Sequence, residues 1–549
     1  MTKHIFVSIV GCVFFSLTAL AGWAEETLKS LSRRDKIAQL IMIGVTPEEQ
    51  TTAESLIQQY HVGNVLLVGK NTAQPQIETI NKYQSLSLLP LLIAQDCEWG
   101  PHMRLEDALR FPRNLTLGAM KDPADIYKMG YIIGKQCKAL GIHINFAPVI
   151  DINNNQKNPV ISDRSFGENK EKVAAAGILF MKGLQDAGIF ACAKHFPGHG
   201  DTEVDSHLGL PCINHSKEHF DTMELYPFKE LIGHGVKAVM NAHLKVPAYD
   251  DEFPSSLSKK LVTNLLKEQL GFKGIIITDA LNMKAITDHF GEGRAALQAL
   301  LAGNGMLLFP VHIPRAFELI EKALDQGAIS ESELDVRVLK ILEAKEELML
   351  HKNRFINISE ALQALNTSEA QELKKRLYHA ALTLVKNDKR ILPLTDTSKL
   401  CAVIVEKDAS CPFAQTLKSQ GSFPLYSGLS EQLQDVLSQI KGDYATKDTV
   451  IVALFGMNKF AQQNYGIAQE TREFIKNLSS LGKKVILVLF GTPYGLTFFE
   501  DENSILIAYE DDKDAQEGAV RVLFGSLIPQ GKLPVTASPQ FKEGMGLTL

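Results

Sequence analysis

Closely spaced cysteines are missing from this 549-residue chain: seven lie at positions 12, 97, 137, 192, 212, 401 and 411, and no two form a Cys-x-x-Cys. That removes the basis for a redox motif or a zinc ribbon. Six cysteines would remain after export and could pair, but the density is far below that of a stapled scaffold, so the core carries stability. Charge of one sign is also lacking. Lys and Arg number 57 against 63 Asp and Glu, a net of −6 without a basic stripe. Phosphate affinity comes from clustered cations, which argues against a nucleic-acid partner. Beyond the first two dozen residues no apolar run is long enough to cross a membrane, and neither repeats nor low-complexity segments occur. With 45% apolar and 22% charged residues, general disorder, a collagen-like fibre and a polytopic membrane protein are excluded. The length suggests two or three domains, with small molecules or neutral polymers as ligands and no stable protein partner evident.

The first 24 residues differ from the rest. Lys3 and His4 precede an apolar run over 5–21, and Gly22-Trp23-Ala24 places small residues before Glu25. This is the charged start, apolar middle and small-residue exit of a signal peptide, read with cleavage after Ala24 and export to the periplasm or medium. An uncleaved anchor is the competing reading, since the run is only slightly short of a bilayer span. Lipidation at Cys12 is a third, weakened because the apolar run continues past the cysteine.

From residue 25 to about 355, short apolar runs alternate with amphipathic stretches. The strand candidates are 39–45, 62–68, 91–95, 144–150, 189–193, 238–242, 274–278 and 305–309. Runs such as Gly-Ile-Ile-Ile-Thr (274–278) are continuously apolar, as parallel strands covered on both faces require. Eight of them separated by helical segments indicate an α/β fold of the (β/α)8 barrel type, with a doubly wound open sheet as the alternative. Residues 356–370 read as a polar linker. Residues 371–549 contain further runs at 382–385, 401–405, 449–454, 484–489 and 504–508, the pattern of an α/β sandwich.

Reactive side chains concentrate in Lys194-His195-Phe196-Pro197-Gly198-His199-Gly200-Asp201-Thr202-Glu203-Val204-Asp205-Ser206-His207. Proline and glycine forbid a regular helix here, so this is a loop after the fifth strand, on the barrel face where chemistry occurs. A solvated surface loop is the bland alternative. A metal site is another, because His195 and His199 are four apart and Asp205 or His207 could join them. Phe-Pro-Gly between the two histidines breaks the helical phase that normally brings such a pair together. No metal and no cofactor is therefore expected.

Asp279 closes the run 274–278 and so sits at the C-terminal mouth of a strand. A helix N-cap is one role for it. The other is a nucleophile, because an ionised carboxylate can stabilise and then trap the oxocarbenium-like centre that forms when a glycosidic bond breaks. Such a reaction also needs an acid that protonates the leaving oxygen and later deprotonates water. His207 titrates near working pH, and Asp205 two residues earlier can hold its imidazole.

Taken together, Lys194 to His207, Asn-Phe-Ala-Pro-Val-Ile-Asp-Ile-Asn-Asn-Asn (145–155), Ser-Asp-Arg-Ser-Phe-Gly (162–167) and Ile-Thr-Asp-Ala-Leu-Asn-Met (277–283) resemble the bacterial β-N-acetylglucosaminidases of glycoside hydrolase family 3. The second half, with its closing Pro-Gln-Gly-Lys-Leu-Pro-Val-Thr (529–536), resembles the sandwich joined to the barrel in many members. The resemblance implies a retaining enzyme with Asp279 as nucleophile and Asp205 with His207 as the acid/base pair. It also implies that Asp96, Arg104, Arg164, Lys194 and His195 bind sugar hydroxyls. The segment 95–104 departs from the common Asp-Gln-Glu-Gly-Gly-Arg pattern at Cys97, Trp99 and Pro101 and is longer, which leaves Arg104 less firmly matched than Asp96. The implied activity is removal of terminal GlcNAc from peptidoglycan fragments or related chains. A family β-glucosidase or β-xylosidase, a carbohydrate-binding protein without catalysis, and a metal-dependent hydrolase are the competing readings.

Overall fold

The computed structural model describes residues 22–206, 208–442 and 446–549. Residues 1–21 of the expected signal and the expected acid/base residue His207 lie outside these. Eight strands form the first sheet: β1 (Ile41–Val45), β2 (Asn64–Leu67), β3 (Leu92–Gln95), β4 (Ile144–Asn145), β5 (Phe190–Phe196), β6 (Ala238–Asn241), β7 (Ile275–Thr278) and β8 (Leu307–Leu308). Neighbours in sequence are neighbours in space and all pairs are parallel. The bridge between Ile277 and Met306 brings β7 back to β8, so the sheet nearly closes on itself as a TIM-type barrel. Helices surround it, and their ends are set locally. Ser330 and Glu333 cap each other's backbone at the start of Glu331–Glu347, and Asn169 caps Lys170–Asp186.

One strand is much shorter than its apolar run. β4 stops at Asn145 rather than near 150, where Pro148 has no N–H to give a ladder. Only a bridge from Val149 to Lys194 continues the pairing, and the chain turns inward to bring Asp151 beneath the end of β5.

The second sheet comprises β9 (Thr383–Asn387), β10 (Leu400–Val405), β11 (Leu425–Gly428), β12 (Thr449–Leu454), β13 (Lys484–Leu489) and β14 (Ser504–Ile507), in the order β11-β10-β12-β13-β14-β9. All pairs are parallel except β14 with β9. Alternate residues of β12 face two different cores. Val450 and Val452 join the cluster continuous with the barrel's outer helices, while Ile451 and Ala453 join the one on the far side. The stretch 356–370 is not extended: it carries a helix, Ile358–Gln363, capped by Asn357. The six described cysteines are free thiols, and among the described residues no helix is long and apolar enough to cross a membrane.

Barrel and sandwich are tied by buried polar contacts. Glu510 accepts from Arg110 Nη2 at 2.6 Å, from the Arg113 N–H at 2.8 Å and from Thr116 Oγ1 at 2.6 Å, with Tyr378 Oη at 3.3 Å. Glu168 accepts from Thr536 Oγ1 at 2.6 Å and from its N–H at 2.8 Å, and the Glu168 N–H donates to Pro534 O at 3.0 Å. Gly167, at φ +139°, lies so close that a Cβ there would stand 2.4 Å from Pro534 O.

Candidate active site

The candidate side chains emerge from the C-terminal ends of the barrel strands. Asp96 follows β3, Asp151 follows β4, Lys194 and His195 end β5, and Asp279 follows β7. All but Asp151, which is buried behind His195, line a cavity of about 540 Å³, together with Arg104, Arg164 and Asp205. The Asp279 N–H donates to Asn241 O at 2.7 Å, and its Oδ1 accepts from the Ala280 N–H at 2.8 Å. Burial opposes ionisation of Asp279. The imidazoles of His243 and His195, the Ala280 N–H and the Lys194 ammonium outweigh it and hold the carboxyl below its usual range. An anionic oxygen at a barrel mouth, with backbone support among the described residues for only one side of the carboxylate, is the arrangement a nucleophile needs.

A polar cluster stands beside it. Lys194 Nζ lies 2.8 Å from Asp96 Oδ1 and 3.0 Å from Glu98 Oε1. Arg104 Nη2 donates to Asp96 Oδ2 at 2.6 Å, so the longer segment still brings Arg104 to the site. Arg164 grips Glu98 through Nη2 at 2.6 Å and Nε at 3.0 Å, a fork-to-carboxylate contact. Burial would raise both acids, but Lys194 and Arg104 hold Asp96 far below the usual carboxylate range. Arg164 and Lys194 likewise hold Glu98 at about 2. Lys194 is itself raised, because Asp96 and Glu98 overcome its desolvation. Three cations and two anions with fixed orientations match a ring of sugar hydroxyls, each of which both donates and accepts.

The histidines of the loop are already engaged. His195 Nδ1 lies 2.7 Å from Asp151 Oδ2, and Arg164 Nη2 is 3.5 Å from its Nε2. His199 contacts Thr202 Oγ1 through Nδ1 at 3.0 Å and Ser206 Oγ through Nε2 at 3.2 Å. Burial and the neighbouring His195 push His199 down to about 4, so it is neutral at physiological pH. With these nitrogens occupied, His195 and His199 are not the metal pair that their spacing suggested. Asp205 lines the same cavity as Asp279.

Four contributors went unassigned in the sequence. Glu98 and Asp151 lie within or beside quoted motifs and are detectable as carboxylates just past the ends of β3 and β4. Lys459 and Phe460 come from the loop after β12 of the sandwich and line the cavity, with Lys459 Nζ donating to Val160 O at 3.3 Å. Burial lowers the Lys459 ammonium, against the opposing charge of Asp163. Nothing local in the sequence marks these two.

Comparison with known proteins agrees with this geometry. The chain matches the glycosyl hydrolase family 3 N-terminal domain over residues 32–344 and the family's C-terminal domain over 382–544. It is 30% identical to beta-hexosaminidase A of Pseudoalteromonas piscicida over 544 residues, covering 88% of this chain and 90% of that one. Beta-hexosaminidase LpqI of Mycobacterium tuberculosis is 33% identical over 327 residues, 57% of this chain and 83% of its own. Among solved structures, a glycoside hydrolase family 3 beta-N-acetylglucosaminidase from Paenibacillus superposes with a TM-score of 0.78 at 30% identity, covering 92% of this chain and 99% of that one. This protein therefore belongs to glycoside hydrolase family 3, as a two-domain member with a barrel and an α/β sandwich.

Proposed function

We propose that the protein is a retaining exo-β-N-acetylglucosaminidase that hydrolyses terminal, non-reducing β-linked GlcNAc. The observation that carries the reading is the ionised Asp279 facing one cavity together with Asp205 and the cluster of Asp96, Arg104, Lys194 and Arg164. Asp279 attacks the anomeric carbon and holds the sugar as a glycosyl ester. Asp205 with His207 protonates the departing oxygen and afterwards deprotonates the water that releases the sugar. The polar cluster grips the terminal sugar's hydroxyls, with His195 held in place by Asp151.

Peptidoglycan fragments are the proposed substrate. Lys459 brings a cation to the cavity from the sandwich, which suits a leaving group carrying a carboxylate better than an uncharged chitin oligomer. The names of the Pseudoalteromonas and Paenibacillus relatives favour GlcNAc. One relative, the Beta-N-acetylglucosaminidase/beta-glucosidase of Cellulomonas fimi, at 30% identity over 68% of this chain, keeps glucose as the second reading. Export with signal cleavage after Ala24 is proposed with the activity. Protein recovered from the native envelope should then begin at Glu25, and an intact Met1 in the membrane fraction would favour the anchor.

The deciding assay compares aryl β-GlcNAc with aryl β-glucoside, followed by product analysis on purified peptidoglycan fragments and chitin oligomers. Release of GlcNAc from the aryl substrate and from muropeptides is expected. Preference for the glucoside would overturn the sugar assignment, and preference for chitin oligomers would overturn the polymer assignment.

A further inference from the structure

On the outer side of the catalytic loop, away from the cavity, three side chains converge. His215 ends the loop, His219 lies in the short helix Lys217–Thr222, and Glu224 sits in the turn after it. One nitrogen from each imidazole and one oxygen of Glu224 fall within 4.8 Å of one another, and the two rings lie 4.0 Å apart, centroid to centroid. Glu224 is only 3% exposed, yet neither of its carboxylate oxygens has a hydrogen-bond partner among the described residues. His219 Nε2 is 3.2 Å from Glu224 Oε1 without the geometry of a hydrogen bond.

A buried carboxylate without donors is strongly disfavoured unless a cation compensates it. An imidazolium at His219 would face one oxygen and leave the other bare. The donor set of two imidazoles and a carboxylate is the one zinc and its neighbours favour. Asp201 Oδ2 stands 2.7 Å from His215 Nε2 and its Oδ1 accepts from Asn155 Nδ2 at 2.9 Å. A carboxylate on one nitrogen of an imidazole fixes the ring's tautomer, as the outer partners of metal-bound histidines do.

We propose that His215, His219 and Glu224 bind one divalent transition-metal ion, zinc by its donor set, which clamps the two ends of the loop carrying Asp205. The loop's first turn rests on the same residue: Gly198, at φ +129°, is so close that a Cβ there would lie 2.7 Å from Glu224 Cβ. Its far end is His215. An ion at this point fixes both anchor points while remaining outside the cavity. It is therefore a positioning element rather than a participant in the reaction, and it does not depend on which sugar the enzyme removes.

The test uses the full chain without a histidine tag, stripped with chelator and titrated calorimetrically with zinc chloride. One equivalent per chain is expected, together with a higher unfolding midpoint when zinc is present and, with cobalt instead, the visible absorption of a tetrahedral site. Glu224→Gln and His219→Gln should each abolish the uptake and the midpoint shift. Asp201→Asn should weaken binding by roughly 10–100-fold. His219 is 39% exposed, so its substitution tests the proposal even if the Glu224 variant fails to fold by circular dichroism. Absence of stoichiometric uptake by the wild-type chain, or uptake undiminished in the folded variants, overturns it.

Discussion

Asp151 holds His195 from below: its Oδ2 is 2.7 Å from the imidazole Nδ1, and its Oδ1 accepts the backbone N–H groups of His195 at 3.1 Å and His199 at 2.7 Å. One fully buried carboxylate thus fixes a ring and the backbone at the start of the loop that carries Asp205. Burial alone would neutralise it, but His195, His199 and the His199 N–H keep it ionised. Asp151→Asn should lower kcat/KM by roughly 10–100-fold, the value of a charged hydrogen bond, with most of the loss in KM because the residue acts by placing His195. Unchanged kinetics alongside unchanged urea unfolding would remove this role.

Glu98 makes stability at low pH a property of the active site. Its carboxyl falls from 4.5 in its ordinary state to about 2 in the fold, so the folded chain binds fewer protons there than the unfolded one. Its contribution is complete above about pH 5 and disappears as pH falls toward about 2. Glu98→Gln should therefore destabilise the protein at neutral pH, where Lys194 and Arg164 lose their anion, and make the acid limb of the stability curve shallower. Urea unfolding between about pH 3 and 7 measures both. An acid limb as steep as that of the wild type would show that other carboxylates dominate.

Glu510 links the domains. With Arg110, Thr116, Tyr378 and the Arg113 N–H all directed at one buried carboxylate, Glu510→Ala leaves a cation and several donors without an acceptor. A loss of about 3–5 kcal/mol is expected, with barrel and sandwich unfolding in separate transitions. Because Lys459 and Phe460 reach the cavity only while the domains are docked, activity on large substrates should fall more than on aryl sugars. A single transition at the wild-type midpoint would contradict this.

Much of this architecture was legible because burial on both faces leaves continuous apolar runs, as in Val-Leu-Leu of β2 and Ile-Ile-Ile of β7. Strand β11 was not, since its half-exposed residues, Leu425 to Gly428, edge the sheet and carry no such run. The helix Ile358–Gln363 was hidden in a polar segment whose Asn357 works as a cap rather than as loop punctuation. Asp279 could be read because it closes an apolar run at the mouth of a strand, where the barrel gathers side chains, whereas Asp96 and Lys194 were marked only by the family motifs around them. Lys459 could not, because its place at the cavity depends on the docking of two domains some three hundred residues apart in sequence.

Asp279→Asn should fold and still bind GlcNAc, but its amide cannot form the glycosyl ester. Turnover should fall by on the order of 10⁴-fold or more, the scale on which loss of a nucleophile acts. Retained activity above about one part in a hundred of that of the wild type would exclude Asp279 as the nucleophile, since other groups at a site leave much less behind.

If Asp205 and His207 are the acid/base pair, as proposed, their variants should make a pattern no other role would produce. Protonation matters most when the leaving oxygen is poor, so His207→Ala should slow hydrolysis of natural sugar linkages far more than that of activated aryl glycosides. With an activated leaving group the first step proceeds without an acid, but water must still be deprotonated to release the sugar. The glycosyl ester on Asp279 should then accumulate and be visible by mass spectrometry of the intact protein. Azide, which needs no general base, should restore turnover and give a β-glycosyl azide. Asp205→Asn should show a milder form of the same behaviour, because it disturbs the imidazole's tautomer and charge without removing the ring. Equal slowing of both substrate classes, with no trapped ester and no azide rescue, would mean that another side chain moves the proton.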